Sequence, residues 1–211
     1  MHQISPTKLN LMEECPRCFY LSVTQNINRP QGIMASIVNK MDSIIKNYFN
    51  KYRKLNQLPP IIQGKVNGKL AKNIPNSLHY KYSDALNIVG IPDEYLELET
   101  GEIIPFDHKT KSKSPEEAHP SYIVQMDIYC YLLKMNNYNT TNIAYLAYYY
   151  PEDSDLHDGL DIECKIIEVK TNIERAQKLI EKASKILSQD ETPEPSKNCK
   201  YCYWAKGIPG L

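Results

Sequence analysis

Residues 90–109 read Gly90-Ile91-Pro92-Asp93-Glu94-Tyr95-Leu96-Glu97-Leu98-Glu99-Thr100-Gly101-Glu102-Ile103-Ile104-Pro105-Phe106-Asp107-His108-Lys109. The stretch holds two strand-like runs, Asp93–Leu98 and Ile103–Lys109, divided by the turn residues 99–102. A third run, residues 84–90, precedes them. Side chains alternate along a strand, so Asp107 and Lys109 project from one face. Asp93, fourteen residues before Asp107, can approach that face across the hairpin. Pro105 is awkward for a central strand because it removes a ladder donor.

Outward from this hairpin the chain alternates helical and extended patterns. Ser5-Pro6 is a helix-opening pair, and that helix runs into Cys15-Pro16-Arg17-Cys18. Ile37, Met41, Ile44, Ile45, Tyr48 and Tyr52 recur at helical spacing and predict a helix over 35–54. Residues 55–82, rich in Pro, Gly, Asn and Lys, read as a long basic connection with short elements. A polar loop at 110–118 leads to a helix over 119–136. Strands follow at 142–150 and 160–170. Thr171-x-x-Glu174 is a capping-box pattern opening a helix to about Leu187, and 192–196 is a proline-bearing linker to the last cysteine pair. The order predicts an α/β fold: a mixed central sheet flanked by helices, within a single domain whose core is 83–170.

Composition is ordinary for a globular chain of 211 residues, with 42% hydrophobic and 24% charged residues, which argues against wholesale disorder. No apolar run approaches bilayer length and no signal-peptide core is seen, so a cytoplasmic protein is expected, with reduced thiols. The net charge of zero hides a segregation. Residues 40–82 carry nine basic side chains against one acid, Asp42, whereas 84–107 carry seven acids and no base. A basic block beside an acidic one suits a phosphate-tracking surface next to a cation site, with Lys51 and Arg53 as candidate contacts. The same run reads equally as solvated helix and loop faces.

Carboxylates and a backbone carbonyl are the hard oxygen ligands that Mg²⁺ or Mn²⁺ prefers, so Asp93, Asp107 and the carbonyl of His108 form a candidate cation site. Lys109 beside it would orient a water or face the charge developing on phosphorus, as a metal-dependent phosphodiesterase requires. A lone Asp-x-Lys is more often a surface ion pair; the upstream Gly-Ile-Pro-Asp makes the combination informative. Gln125 and Tyr129 are four apart and share a helix face, fit to hold a phosphate oxygen or the water, although a core-edge pair has the same spacing. His108 should face away from the acids. Lys111 and Lys113 continue the strand's basic series as further phosphate contacts. Tyr145, Tyr148, Tyr149 and Tyr150 fall on both faces of one strand and read as core or sheet surface.

The chain has six cysteines. Cys15, Cys18, Cys199 and Cys202 form two C-x-x-C pairs near opposite ends, a strong metal signal in a reducing compartment. Four thiolates can close on Zn²⁺ or hold an iron–sulfur cluster, and the spacing alone favours zinc. Such a clamp would join 1–30 to 190–211. Cys130 and Cys164 read as ordinary buried thiols, and Trp204 should pack around the clamp.

Asp93, Asp107-His108-Lys109, Gln125-x-x-x-Tyr129 and Cys15-Pro16-Arg17-Cys18-Phe19-Tyr20, in order along nearly the whole chain, resemble the motifs of the PD-(D/E)XK nuclease superfamily, and specifically its RecB-like branch with the stand-alone CRISPR-associated exonucleases. The resemblance implies a restriction-endonuclease-like αβββαβ core, Mg²⁺ or Mn²⁺ catalysis, a DNA substrate and a [4Fe–4S] cluster at the cysteines. It implies an exonuclease on single-stranded or end-bearing DNA, or else a non-catalytic DNA-binding or adaptor subunit retaining the fold. Any strand opening would come from a partner, such as a helicase or CRISPR adaptation proteins. Two features depart from the branch. The early-helix histidine is missing, and Asp42 is the acid in that region, either as a replacement ligand or as a solvated side chain. The cysteines are distributed two and two, with Cys18 in place of a third C-terminal ligand.

Overall fold

The computed structural model describes residues 1–30, 32, 36–155, 157 and 159–207. Residue 35 of the expected 35–54 helix, and residues 208–211 of the expected clamp segment, lie outside them. The chain begins with β1 (His2–Ile4), α1 (Pro6–Glu14), α2 (Pro16–Thr24) and α3 (Ser36–Leu55). The helix expected to run into the first cysteine pair ends at its edge, and a second helix begins within it. Pro16 disfavours helical backbone at the residue before it, and Cys15 is extended, with φ −161° and ψ 109°. Cys15 therefore ends α1 and starts α2.

A turn of 3₁₀ helix at Pro60–Ile62, then β2 (Lys69–Leu70) and β3 (Leu78–Lys81), occupy the basic connection. There follow β4 (Leu86–Gly90), β5 (Glu94–Glu97), β6 (Ile103–Thr110), α4 (Pro120–Met135), β7 (Ile143–Pro151), β8 (Ile162–Lys170), α5 (Ile173–Leu187) and α6 (Lys200–Lys206). The α/β class with flanking helices is as expected, but the strands form two mixed sheets. One has the order β1-β4-β3 and the other β2-β5-β6-β7-β8. The first of the three expected strands thus pairs with β1, in parallel, and with β3. Residues 91–93 carry the chain from one sheet to the other. Pro105 is tolerated in β6 because pairing with β7 starts one residue later, at Phe106↔Tyr145.

Period-two alternation sorts the larger sheet's two faces. On one face Phe106, Tyr145, Ala147 and Tyr149 pack with Ile45 and Phe49 of α3. On the other, Ala144, Leu146 and Tyr148 meet Met126 and Tyr129 of α4. The other face of α4 and the helices α1 and α5 cover the smaller sheet, through Ile128, Leu132, Leu9, Met12 and Ile180. Helix α4 is therefore apolar nearly all round, as a helix packed between elements must be. Asp127, fully buried in it, accepts from the Asn172 backbone N–H at 2.7 Å and from Arg175 Nε and Nη2 at 2.5 and 2.9 Å, fixing α5 against α4. The cap of α5 is Asn172, which accepts from the Arg175 N–H, so the start lies one residue beyond the expected Thr171.

Candidate active site and cysteine clamp

Strands β5 and β6 pair antiparallel with Glu94 opposite Phe106, and continuing that register places Asp93 opposite Asp107. Two acids fourteen residues apart thereby meet at one end of the hairpin. Asp93 Oδ2 accepts the backbone N–H of His108 at 3.0 Å, which holds its carboxylate against β6. Asp107 is 2% exposed, and Lys109 Nζ donates to its Oδ2. From α4, Gln125 Nε2 donates to Asp107 Oδ1 at 3.3 Å and to Tyr129 Oη at 2.7 Å, while Gln125 Oε1 accepts from Lys109 Nζ at 3.1 Å. Tyr129 donates onward to the Ile91 carbonyl at 3.1 Å. The motif residues from the hairpin and from α4 thus form one hydrogen-bonded unit.

Burial dominates the electrostatics. It pushes the Asp107 carboxyl up to about 6, with the neighbouring Asp93 adding to the rise and the Lys109 ammonium opposing it. Burial also pushes the Tyr129 hydroxyl up, so it stays a donor. His108 lies on the opposite face of β6 among Phe49, Phe106 and Tyr149. Its Nδ1 is 3.2 Å from Tyr149 Oη, and burial pushes it down to about 3, so the imidazole stays neutral. Its side chain is core, and only its backbone faces the acids.

Helix α3 supplies residues that the motifs do not include. Lys46 Nζ donates to Asp42 Oδ2 at 3.0 Å and stands 3.6 Å from Asp93 Oδ1, linking the half-exposed Asp42 to the acid pair. The Asp42–Lys46 spacing of four was a legible ion-pair signal; its reach to Asp93 was not. Arg53 pairs with buried Glu94 and donates to Asn50. Lys51 is exposed, with Nζ 5.6 Å from the centre of the Tyr52 ring. Lys109 and Lys111 lie over the Tyr122 ring at 4.5 and 5.4 Å, and Lys113 is exposed beyond them. Tyr145, Tyr148 and Tyr149 are buried.

The four paired cysteines converge, with all sulfurs within 4.8 Å of one another. Cys15 and Cys199 precede the first turns of α2 and α6, and Cys18 and Cys202 close those turns. This arrangement can hold a metal. Cys130 and Cys164 lie apart, and burial pushes each thiol up to about 11. Trp204 is 64% exposed and does not pack into the clamp as expected; a seven-residue helix with no buried residue offers it no core. Among the described residues no helix is long and apolar enough to cross a membrane.

The fold resembles that of SSO0001, at 16% identity over 99% of this chain and 87% of that one, with a TM-score of 0.51. An alkaline exonuclease from Laribacter hongkongensis matches at 13% identity over 88% of this chain and 86% of that one, with a TM-score of 0.42. No curated protein matches. The family model of the PD-(D/E)XK nuclease superfamily matches residues 41–206, a span holding most of α3, both acids, the lysine and the Gln–Tyr helix. The chain belongs to that superfamily, whose members are phosphodiester hydrolases that work with divalent metals.

Proposed function

We propose that the protein is a deoxyribonuclease of the RecB-like branch, acting as an exonuclease on single-stranded or end-bearing DNA. The observation that supports this reading is the closed unit Asp107–Lys109–Gln125–Tyr129 set opposite Asp93. In this reading Asp93, Asp107 and the His108 carbonyl hold Mg²⁺ or Mn²⁺, with Asp42 as a further oxygen donor. The cation would supply positive charge against the phosphate and acidify a water. The donor set fits it: hard oxygens, with an ammonium group against each acid in a place that favours positive charge.

Lys109 orients the attacking water or stabilises charge on the phosphorane. Gln125 fixes the lysine and, with Tyr129, positions a phosphate oxygen. Lys51, Lys111 and Lys113 contact the DNA backbone, while Arg53 acts from its pairing with Glu94. Residues 83–170 serve as the catalytic core and 55–82 as the basic connection, with 1–30 and 190–211 joined through the cysteines. Strand opening falls to a partner, such as a helicase or CRISPR adaptation proteins.

Cleavage of end-labelled single- and double-stranded DNA with Mg²⁺, Mn²⁺ or EDTA tests the reading. The expected outcome is metal-dependent cleavage that Asp107→Ala and Lys109→Ala each reduce by about 10²-fold or more, with a product ladder stepping inward from one end. Silent wild-type protein that still binds DNA would replace this reading with the adaptor one.

A further inference from the structure

The resemblance to the RecB-like branch implies a [4Fe–4S] cluster at the four cysteines, and the sulfur geometry does not fit one. Cys15 and Cys202 Sγ are 3.8 Å apart, Cys18 and Cys199 3.6 Å, and Cys18 and Cys202 3.5 Å. All pairs lie within 4.8 Å. With metal–sulfur bonds of about 2.3 Å, a tetrahedron has sulfur–sulfur edges of about 3.8 Å. In a cubane each thiolate sits on a different iron and points outward, so the sulfurs stand roughly 6 Å apart. The space between these four admits one ion.

We infer that the four cysteines form a tetrahedral zinc tetrathiolate site. The backbone explains why the geometry is single-centred. In both C-x-x-C pairs the first cysteine is the residue before a helix and the second is the third helical residue. Side chains at those two positions converge over the first turn, as they do in a capping box. Two such turns, brought face to face, close four sulfurs on one point. The dianionic charge of a zinc tetrathiolate also has an answer here. Arg29 Nη2 donates to Cys199 Sγ at 3.6 Å, its guanidinium carbon lies 4.7 Å from the Tyr201 ring centre, and Nη1 pairs with Glu14 at 2.5 Å. Arg29 thus orients Cys199 from outside and sets a positive group against its sulfur, with Glu14 holding the guanidinium in place.

The test is elemental analysis of protein purified anaerobically from cells supplied with both zinc and iron, followed by exchange with Co²⁺. The expected result is one zinc per chain, no acid-labile sulfide, and after exchange the intense visible bands of tetrahedral cobalt bound by thiolates. Arg29→Ala should keep the cobalt bands and speed zinc loss to a chelating dye several-fold. Iron and sulfide in a cluster's proportions, with broad visible absorption, would overturn the inference. So would metal-free protein whose four thiols alkylate freely in the native state. Neither readout involves DNA cleavage, so failure here is distinguishable from failure of the nuclease reading.

Discussion

At the level of single residues, stability and chemistry conflict at Asp107. Its carboxyl is buried, and its pKa rises from 3.8 to about 6 despite the Lys109 ammonium. A carboxyl whose folded pKa is raised destabilises the fold as pH rises above its unfolded pKa, and the penalty is complete above the folded value. For this shift the penalty above pH 6 is about 3 kcal/mol. Asp107→Asn should therefore raise the melting temperature of metal-free protein at pH 7.5, with the advantage fading as pH is lowered toward 4. Mn²⁺ should stabilise the wild type and leave the variant unchanged. Melts in chelator-free buffer without and with Mn²⁺ across that range check both, and an Asn variant less stable than wild type at pH 7.5 would refute the argument. The shared face of Asp107 and Lys109 follows from their spacing alone. The part played by Lys46 does not, because its contact with Asp93 depends on where α3 lies.

At the level of elements, the join between the two sheets explains Gly90-Ile91-Pro92-Asp93. A Cβ on Gly90 would meet Leu132 Cδ1 at 2.6 Å and Tyr129 Cδ1 at 3.0 Å, so β4 ends against α4 with no space for a methyl group. The Ile91 carbonyl then accepts from Tyr129, and Asp93 turns toward β6. Gly90→Ala should cost about 1–3 kcal/mol and shift Tyr129 and, through it, Gln125. A lowered denaturant midpoint together with slower cleavage is expected; an unchanged midpoint would show that α4 yields freely. Other boundaries were readable only in part. Pro16 sets the break between α1 and α2 by holding Cys15 extended, a rule that acts on the neighbouring residue alone. Strand β1 has three residues and no alternation, so nothing in its own sequence distinguishes it before β4 pairs with it.

For the whole molecule, several contacts among the described residues hold the two ends of the chain together. The cysteines join α2 to α6, Lys182 pairs with Glu13 at 2.7 Å, and Tyr20 Oη donates to the Gln189 carbonyl at 3.2 Å. The ion pair is exposed, contributes little and does not reach α6, a helix with no buried residue, which is tied by the clamp and by Arg29 against Cys199 and Tyr201. Stripping the metal with a chelator should release residues 190–207 to proteolysis first. It should also lower the melting temperature, by roughly 2–4 °C for each kcal/mol of metal stabilisation lost. Limited proteolysis and melting curves with and without chelator measure this. A tail that stays protected would show that the helix docks without the clamp.

Local rules, acting through residue type and spacing, determined the α/β order of elements, the common face of Asp107 and Lys109, the helical pairing of Gln125 with Tyr129, and the two cysteine pairs. Those features follow from the periods of strand and helix and from the ligand chemistry of thiolates, which need no distant partner. Only the tertiary structure decided that the strands divide into two sheets, that Asp93 stands opposite Asp107, that α3 brings Lys46 to the acids, and that four sulfurs from opposite ends of the chain close on one point. The opposed acids depend on the register of one hairpin, and the others on the docking of elements far apart in the chain. Such contacts are set by the summed burial of whole faces, which no short stretch of sequence contains.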